Sequence, residues 1–561
     1  MDKNWQLINE RQEGLSVIET ILFSKGITQK EEIGEFLSDK PQKTYDPFLI
    51  KNMQESIACI KKYVKEKKKI VIFGDYDVDG VCASTLLMQF FSHITNSIDY
   101  YIPNRFSEGY GLNKAAIDYI KEKMGGELII TVDNGVSCVE EVAYAKQLGL
   151  EMIVTDHHNP GEKLPECLVI NVKQQEDTYP FKELCGCGVA FKLAQALQRI
   201  FDLPKTVLNP LLDIVALATV ADIVPLVDEN RTFVKYGLDI INKDKRLGLS
   251  VLRKVVGLHD KKITAGRIGF VLGPCFNAAG RLEDAKLGVK LLLETSYEQA
   301  LKLANTLYTL NRERQQLQEQ GEAYCKAVVE QQYIEDGFLV VRADHVSEGV
   351  IGIIAGKIKD IFYKPTLVVT KGEEGYLKGS GRSIKGINIF EELGKVSDLF
   401  IGFGGHEMAC GFSIKEQRLD ELREVLNKRA GEIKASDPNV FVPKLEIITE
   451  LTGEELTVDL IREVEKLEPY GMGNSRPVFV IKNIKVNPQW TKACGSNKTH
   501  LKFSGSHGDC ILGGIGFSLA EKYEKLQYPR EVHIAFNPEI NEYNGKIKPQ
   551  MMIQDLKTND L

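Results

Sequence analysis

Between residues 69 and 155 the chain alternates short, largely apolar runs with longer amphipathic ones. The apolar runs at 69–73, 98–103, 127–132 and 151–155 read as strands. VCASTLLMQFF (81–91), NKAAIDYIKEKMGG and residues 137–148 carry helical spacing between them, the second closed by Gly125 and Gly126. Such alternation builds a mostly parallel sheet. A helical region rich in Leu and Ala follows at 188–222. Residues 295–333 form one long helical pattern, with Thr295 and Glu298 spaced as a capping box and Gly321 placed to mark a bend. A second α/β pattern starts at Gly337. ASDPNVFVP (435–443) reads as a linker, and beyond it short alternating strands separated by turn residues suggest a small β-barrel. The expected fold class is α/β multidomain. It comprises a polar helical segment (1–65), a parallel-sheet domain (66–294), a linking helix (295–335), a second α/β domain (336–436) and a β-barrel (444–561).

A chain of 561 residues has room for several domains. Its net charge of −7 argues weakly against a nucleic-acid partner, but Lys243–Arg267 holds eight Lys/Arg and two Asp. That stretch is either a basic patch or a solvated helical face. Eleven cysteines with only Cys185 and Cys187 close together make no zinc or disulfide framework, which points to reduced thiols in the cytoplasm. No membrane span and no signal peptide are expected.

The apolar runs end in acids. GDYDVDG supplies Asp75, Asp77 and Asp79; VDNG supplies Asp133; TDHH supplies Asp156, His157 and His158; IVALATVAD ends in Asp222. Ligands of open α/β sheets bind beyond the carboxyl ends of the strands. So many carboxylates in one place need cations, and hard oxygens with an imidazole suit Mn2+ or Mg2+. This composition points to a two-metal phosphoester hydrolase. D-x-D-x-D-G also opens a calcium-binding EF-hand, but loop position 12 counted from Asp75 is Leu86 and a strand precedes. NAAGRLEDA (277–285), GSGRS (379–383) and FGGHE (403–407) combine Arg or His with glycine. They suit phosphate, or are tight turns with solvated side chains.

In order along the chain, GDYDVDG, VDNG, TDHH and ATVADIVPL resemble the motifs of the DHH phosphoesterase superfamily. NAAGRLEDA, SGRS and GGH resemble its DHHA1-type accessory region. LEPYGMGNSRPVF (467–479) looks like the approach to the OB-fold of the RecJ family, single-strand-specific 5′→3′ DNA exonucleases. The resemblance covers about residues 45–555. It implies two divalent ions, Mn2+ or Mg2+, held by Asp75, Asp77, Asp79, Asp133, His157 and Asp222, with Asp133 bridging both. His158 would contact the scissile phosphate and Asp156 would support it. Arg105, Asn277, Arg281, Ser380, Arg382 and His406 would bind substrate, with PNRFSEGYGLN (103–113) as a substrate-contacting loop. Trp490, Phe479 and Phe503 are candidates for base stacking in the barrel, or core residues.

The implied activity is release of 5′ mononucleotides from single-stranded DNA in repair and recombination. It would be carried out by a cytoplasmic monomer with a helicase and a single-strand-binding protein as partners. The chain departs from the family pattern at Phe73 and Ser347, where relatives tend to have His, while His345 lies two positions away. Other readings are a smaller DHH phosphodiesterase acting on short oligonucleotides or cyclic dinucleotides, and a non-catalytic replication scaffold. The full acidic set speaks against the last, and the barrel against the first.

Overall fold

The computed structural model describes every residue except 1, 9, 10, 12, 13, 106, 107, 110, 373, 374, 544 and 559–561. The chain forms two compact units. One comprises Gly34–Glu313 and Leu467–Ser475; the other comprises Met1–Ile33, Arg314–Lys466 and Arg476–Leu561. The N-terminal stretch is not wholly helical. It opens with a strand, β1 (Asn4–Leu7), parallel to β12 (Lys444–Ile447). Trp5 is the reason: it is buried, and its Nε1 donates to Asp555 Oδ2 at 2.8 Å. Helices α1 (Val17–Ser24), α2 (Lys30–Leu37) and α3 (Met53–Lys65) follow.

The first unit is built on five parallel strands: β2 (Ile70–Gly74), β3 (Ile98–Tyr101), β4 (Leu128–Val132), β5 (Glu151–Thr155) and β6 (Leu168–Ile170). Their order is β3-β2-β4-β5-β6. β2 and β4 are buried at every position, which demands cover on both faces. Ile70 and Ile72 join one apolar cluster with residues of α4 (Val78–Phe91). Val71 and Phe73 join another with α5 (Lys114–Glu122) and α6 (Val139–Gln147). Gly74 pairs with Val132, and Val132 with Thr155. The next residues of the three strands, Asp75, Asp133 and Asp156, are therefore delivered side by side.

The helical region contains α7 (Gly186–Ile200), α8 (Leu212–Ala221) and α9 (Asp228–Asn242). A buried Lys192–Glu229 ion pair (2.5 Å) ties α7 to α9, and Thr44 Oγ1 donates to the same carboxylate at 2.6 Å. The arginines of the 243–267 stretch are largely spent on internal contacts. Arg246 forks onto buried Asp213 at 2.7 and 2.9 Å, Arg253 donates to Ile241 O at 2.9 Å, and Arg267 donates to Lys262 O. The stretch is thus in good part structural.

In the second unit, β7 (Leu339–Arg342), β8 (Thr366–Lys371), β9 (Tyr376–Arg382), β10 (Phe400–His406) and β11 (Ala409–Lys415) form a sheet ordered β10-β11-β9-β8-β7. Only β7 and β8 are parallel. The C-terminal strands β13 (Thr449–Glu450), β14 (Phe479–Val486), β15 (Lys492–Cys494), β16 (His500–His507), β17 (Cys510–Gly516), β18 (Glu531–Tyr543) and β19 (Lys546–Lys557) form one sheet. Pairing of β14 with β16 closes it into a barrel. Phe479 and Phe503 are buried in it, so they are core; Trp490 is exposed.

The long helix runs unbroken from Tyr297 to Val328, and the division between units falls within it. Its cap is Ser296 rather than Thr295: Ser296 O accepts from Ala300 N at 2.9 Å. Gly321 marks no break. A Cβ there would lie 2.4 Å from Ile354 Cδ1, so the glycine permits close packing. None of the eleven cysteines is in a disulfide. Among the described residues no helix is long and apolar enough to cross a membrane.

Candidate active site

GDYDVDG is a strand end followed by a helix start. Asp77 is the N-cap of α4, its Oδ1 accepting from Asp79 N (2.8 Å) and Gly80 N (3.1 Å). Asp79, one residue into the helix, is buried, and its oxygens accept from Gly186 N (2.6 Å) and Cys187 N (2.8 Å) at the start of α7. Asp133 follows β4 with φ 63°, a strained left-handed angle for a residue with a Cβ. Asp222 follows no strand. It is the C-cap of α8.

These groups converge on His157. Its Nε2 lies 3.2 Å from Asp133 Oδ1, 3.7 Å from Asp222 Oδ2 and 3.9 Å from Asp79 Oδ2. None of these contacts has hydrogen-bond geometry. His157 Nε2, Asp133 Oδ1, Asp222 Oδ2 and Asp75 Oδ1 are all buried without a hydrogen-bond partner. Orphaned buried acceptors cost roughly 1–3 kcal/mol each, more when charged. Burial and then the His158 charge push the His157 imidazole down to about 3, leaving it neutral with a lone pair free to ligate. Burial, then the Asp77 charge, pushes Asp79 up to about 7 and also raises Asp75. Burial, then Asp79, raises Asp133 and Asp222.

Asp75, Asp77 and Asp133 can offer atoms within 4.8 Å of one another, as can Asp79, His157 and Asp222, and Asp133, His157 and His158. A donor set of carboxylates and one neutral imidazole, mutually repelling until neutralised, fits hard divalent cations. Asp133 belongs to two of the groups, as does His157.

Asp156 is turned to a different task. Its oxygens accept from Val136 N (2.9 Å), His157 N (2.7 Å) and the His158 ring at Nδ1 (2.8 Å). Burial would raise its carboxyl; the bond to His158, the His158 charge and the Val136 N–H together outweigh that and hold it below the usual range. Burial would likewise lower His158; the same bond and the negative charges of Asp156, Asp79 and Asp77 together outweigh it and hold the imidazole above its usual range.

A cavity of about 210 Å³ opens over the cluster. It is lined by Asp75, Tyr76, Asp77, Arg105, Asp133, His158, Asp222, Asn277, Gly280 and Arg281. The guanidinium of Arg105 lies over the Tyr76 ring, 5.2 Å from its centroid. Residues 106, 107 and 110 of the same loop lie outside the described residues. NAAGR is neither a tight turn nor a glycine loop. It lies in the helix Gly273–Leu282, where a Cβ at Gly280 would sit 2.4 Å from Tyr76 O. Asn277 Oδ1 accepts from Val78 N at 3.1 Å, so it also supports the start of α4.

Ser380, Arg382 and His406 belong to the other unit. Arg382 pairs in register with Ala409, and Ala409 with His406. Arg382 Nη1 donates to Ser380 Oγ (3.0 Å) and Gly381 O (2.8 Å), and burial lowers its guanidinium. Among the described residues it has no carboxylate partner. A Cβ at Gly352 would come within 2.9 Å of its Nη2.

Three family models match parts of the chain. Residues 69–219 match the DHH family N-terminal domain, 335–432 the DHHA1 domain and 449–555 the RecJ OB domain. The chain is 39% identical over 541 residues to the single-stranded-DNA-specific exonuclease RecJ of Bacillus subtilis (strain 168), covering 96% of this chain and 67% of that protein. It is 33% identical to the protein of the same name from Escherichia coli (strain K12), covering 90% of each. The chain belongs to the RecJ family. The crystal structure of RecJ from Thermus thermophilus in complex with Mn2+ superposes with a TM-score of 0.84 at 27% identity, over 100% of this chain and 80% of that one.

Against the RecJ family pattern, Phe73 is a core residue stacked on Tyr101 at 5.7 Å. Ser347 merely precedes the helix Glu348–Phe362, and His345 packs edge-on against Tyr324. Gly186 and Cys187 are not among the site residues expected from the sequence. A Cβ at Gly186 would lie 2.6 Å from Asp133 Cβ, so only glycine fits. The available signal is CGCG opening an apolar helix, which reads as a cysteine pair when only sulfur is counted.

Proposed function

We propose that the chain is a metal-dependent exonuclease that degrades single-stranded DNA in the 5′→3′ direction to 5′ mononucleotides, in repair and recombination. The observation that carries this reading is the convergence of Asp79, Asp133 and Asp222 on the unbonded Nε2 of His157. Two divalent ions, Mn2+ or Mg2+, would supply charge neutralisation when bound there and lower the pKa of a water so that hydroxide is available to attack phosphorus. Asp75, Asp77 and Asp133 would hold one, and Asp79, His157, Asp222 and Asp133 the other. His158, with Nδ1 bonded to Asp156, has its other nitrogen left for a phosphate oxygen. Arg105, Arg281 and Asn277 orient the phosphate within the pocket. Ser380, Arg382 and His406 hold a substrate phosphate on their own sheet.

In this reading residues 66–294 catalyse, 336–436 bind substrate and 444–561 bind nucleic acid, with 295–335 as the link. The activity calls for a helicase to expose single strands and a single-strand-binding protein to keep them open, and for a cytoplasmic monomer. The test uses 5′- and 3′-labelled single strands with Mn2+. Early release of the 5′ label as mononucleotide, with duplex spared, is expected. Early loss of the 3′ label, or no degradation, overturns the reading. Preference for di- and trinucleotides over long strands would place the chain with the smaller DHH phosphodiesterases.

A further inference from the structure

The loop that follows Asp222 is strained. Residues 223–227 join α8 to α9. Ile223, directly after Asp222, has φ 60°, and Asp228 at the other end has φ 49°. A residue with a Cβ, above all a β-branched one, rarely takes such an angle, which persists only where neighbours over-determine it. Ile223 is 69% exposed, so packing of its own side chain supplies little restraint.

The restraint comes from a segment far along the chain. Leu467–Ser475 belongs to this unit, while its flanks, Lys466 and Arg476, belong to the other. Leu226 N donates to Met472 O at 2.7 Å, and Arg231 Nη1 donates to Leu467 O at 2.9 Å. Two glycines let this main chain lie against the loop. A Cβ at Gly471 would meet Leu226 Cδ1 at 2.7 Å. One at Gly473, where φ is 69°, would meet Pro225 Cβ at 3.0 Å and Val227 Cγ1 at 3.3 Å.

The segment is itself pinned. Asn474 is fully buried, and its Nδ2 donates to Leu467 O (2.9 Å) and Pro469 O (2.8 Å). The Gly471 and Asn474 main chains also bond each other, at 3.0 and 3.1 Å. Residues 467–475 do not line the acidic pocket, but Asp222 does. The segment therefore reaches the chemistry through the loop.

We infer that Leu467–Ser475 is a clamp that positions Asp222 for the ion held with Asp79, Asp133 and His157. The inference rests on the two-ion site of the exonuclease reading above. Asp222 ends a helix, and a rotation of the loop beyond it would carry the carboxylate away from His157. Gripping the loop at Pro225 and Leu226 removes that freedom in advance, so binding an ion does not have to order it. Asp75 and Asp133 follow strands and Asp77 caps α4, so the other ion does not depend on the clamp.

The experiment titrates Mn2+ into the full chain and measures free Mn2+ by electron paramagnetic resonance, with melting curves alongside. Gly473→Ala is expected to weaken one of two sites by roughly tenfold and to leave the other unchanged. Asn474→Ala loosens the segment without adding a side chain, and should weaken the same site. Combined with Asp222→Asn, either change should add little further loss there. If Gly473→Ala melts below the assay temperature, Asn474→Ala decides alone. Equal weakening of both sites, full additivity with Asp222→Asn, or unchanged binding in both variants overturns the clamp. An intact chain that binds no Mn2+ refutes the two-ion reading, and the clamp with it.

Discussion

Asp133 is delivered by a buried strand, held at a left-handed backbone angle and pressed against the Cα of Gly186, so its carboxylate has little freedom to move. Asp133→Ala should lower turnover at saturating Mn2+ by at least on the order of a thousandfold, as for loss of a group acting on the transition state. Circular dichroism should stay unchanged. Near-normal turnover would remove it from the bridging place. Arg281→Ala should instead raise KM while Mn2+ affinity is kept, because its guanidinium lines the cavity and belongs to none of the acidic groups. Lost Mn2+ binding with unchanged KM would contradict this placement. The acids after β2, β4 and β5 were legible because an apolar run ending in Asp has one meaning in a parallel sheet. Asp222 was legible only as an acid, since an apolar helix and an apolar strand of that length look alike. Gly186 was not legible: its role depends on a residue 53 positions earlier in the chain approaching its backbone.

Among the elements, helix and strand types in the parallel sheet follow from periodicity, and the pieces that depart from expectation share one cause. β1 is four residues whose only strong signal is Trp5, and the glycine of NAAGR suggests a turn where a helix stands. In both cases a tertiary contact, with Asp555 or with Tyr76, outweighs local preference. Gly321 gives a direct test. Replacing a mid-helix glycine by alanine gains about 1 kcal/mol from propensity. Here the new methyl would meet Ile354 and Val346 at 2.4 and 3.2 Å, and overpacking costs typically about 1–3 kcal/mol. Gly321→Ala should therefore lower the melting temperature by a few degrees. A rise would mean that the neighbouring helix yields freely.

For the whole molecule, the acidic cluster links stability to pH and metal. Asp75, Asp79, Asp133 and Asp222 all ionise with more difficulty folded than unfolded, Asp79 at about 7. Below about pH 4, the unfolded carboxyl range, their favourable contribution is fully present. It is lost as pH rises through the folded values. Metal-free protein should lose stability between about pH 4 and 7 on this account. A cation bound to the ionised cluster opposes the loss by mass action. The gain in melting temperature on replacing EDTA with saturating Mn2+ should therefore be larger at about pH 8 than at about pH 5. Equal gains would mean that the cluster stays ionised without metal.

A deletion starting at residue 444 would remove Leu467–Ser475 along with the barrel, taking away the partner of Leu226 and Arg231. A chain cut after Ser475 is the better core. It should still cleave, and its affinity for long single strands should fall less steeply with salt than that of the intact protein. An unchanged salt slope in a folded truncation would show that the barrel adds no phosphate contacts.

That excursion also has a meaning in time. Protein synthesis runs from the N-terminus, and the ribosome will have released every acidic ligand long before it reaches Leu467. Until then the nascent nuclease unit lacks the segment that accepts from Leu226 and Arg231, and an intervening stretch of the other unit, Arg314–Lys466, must emerge first. Translation that stops before Leu467 therefore yields the ligands without this segment, so the unit is completed only once residue 475 has been made.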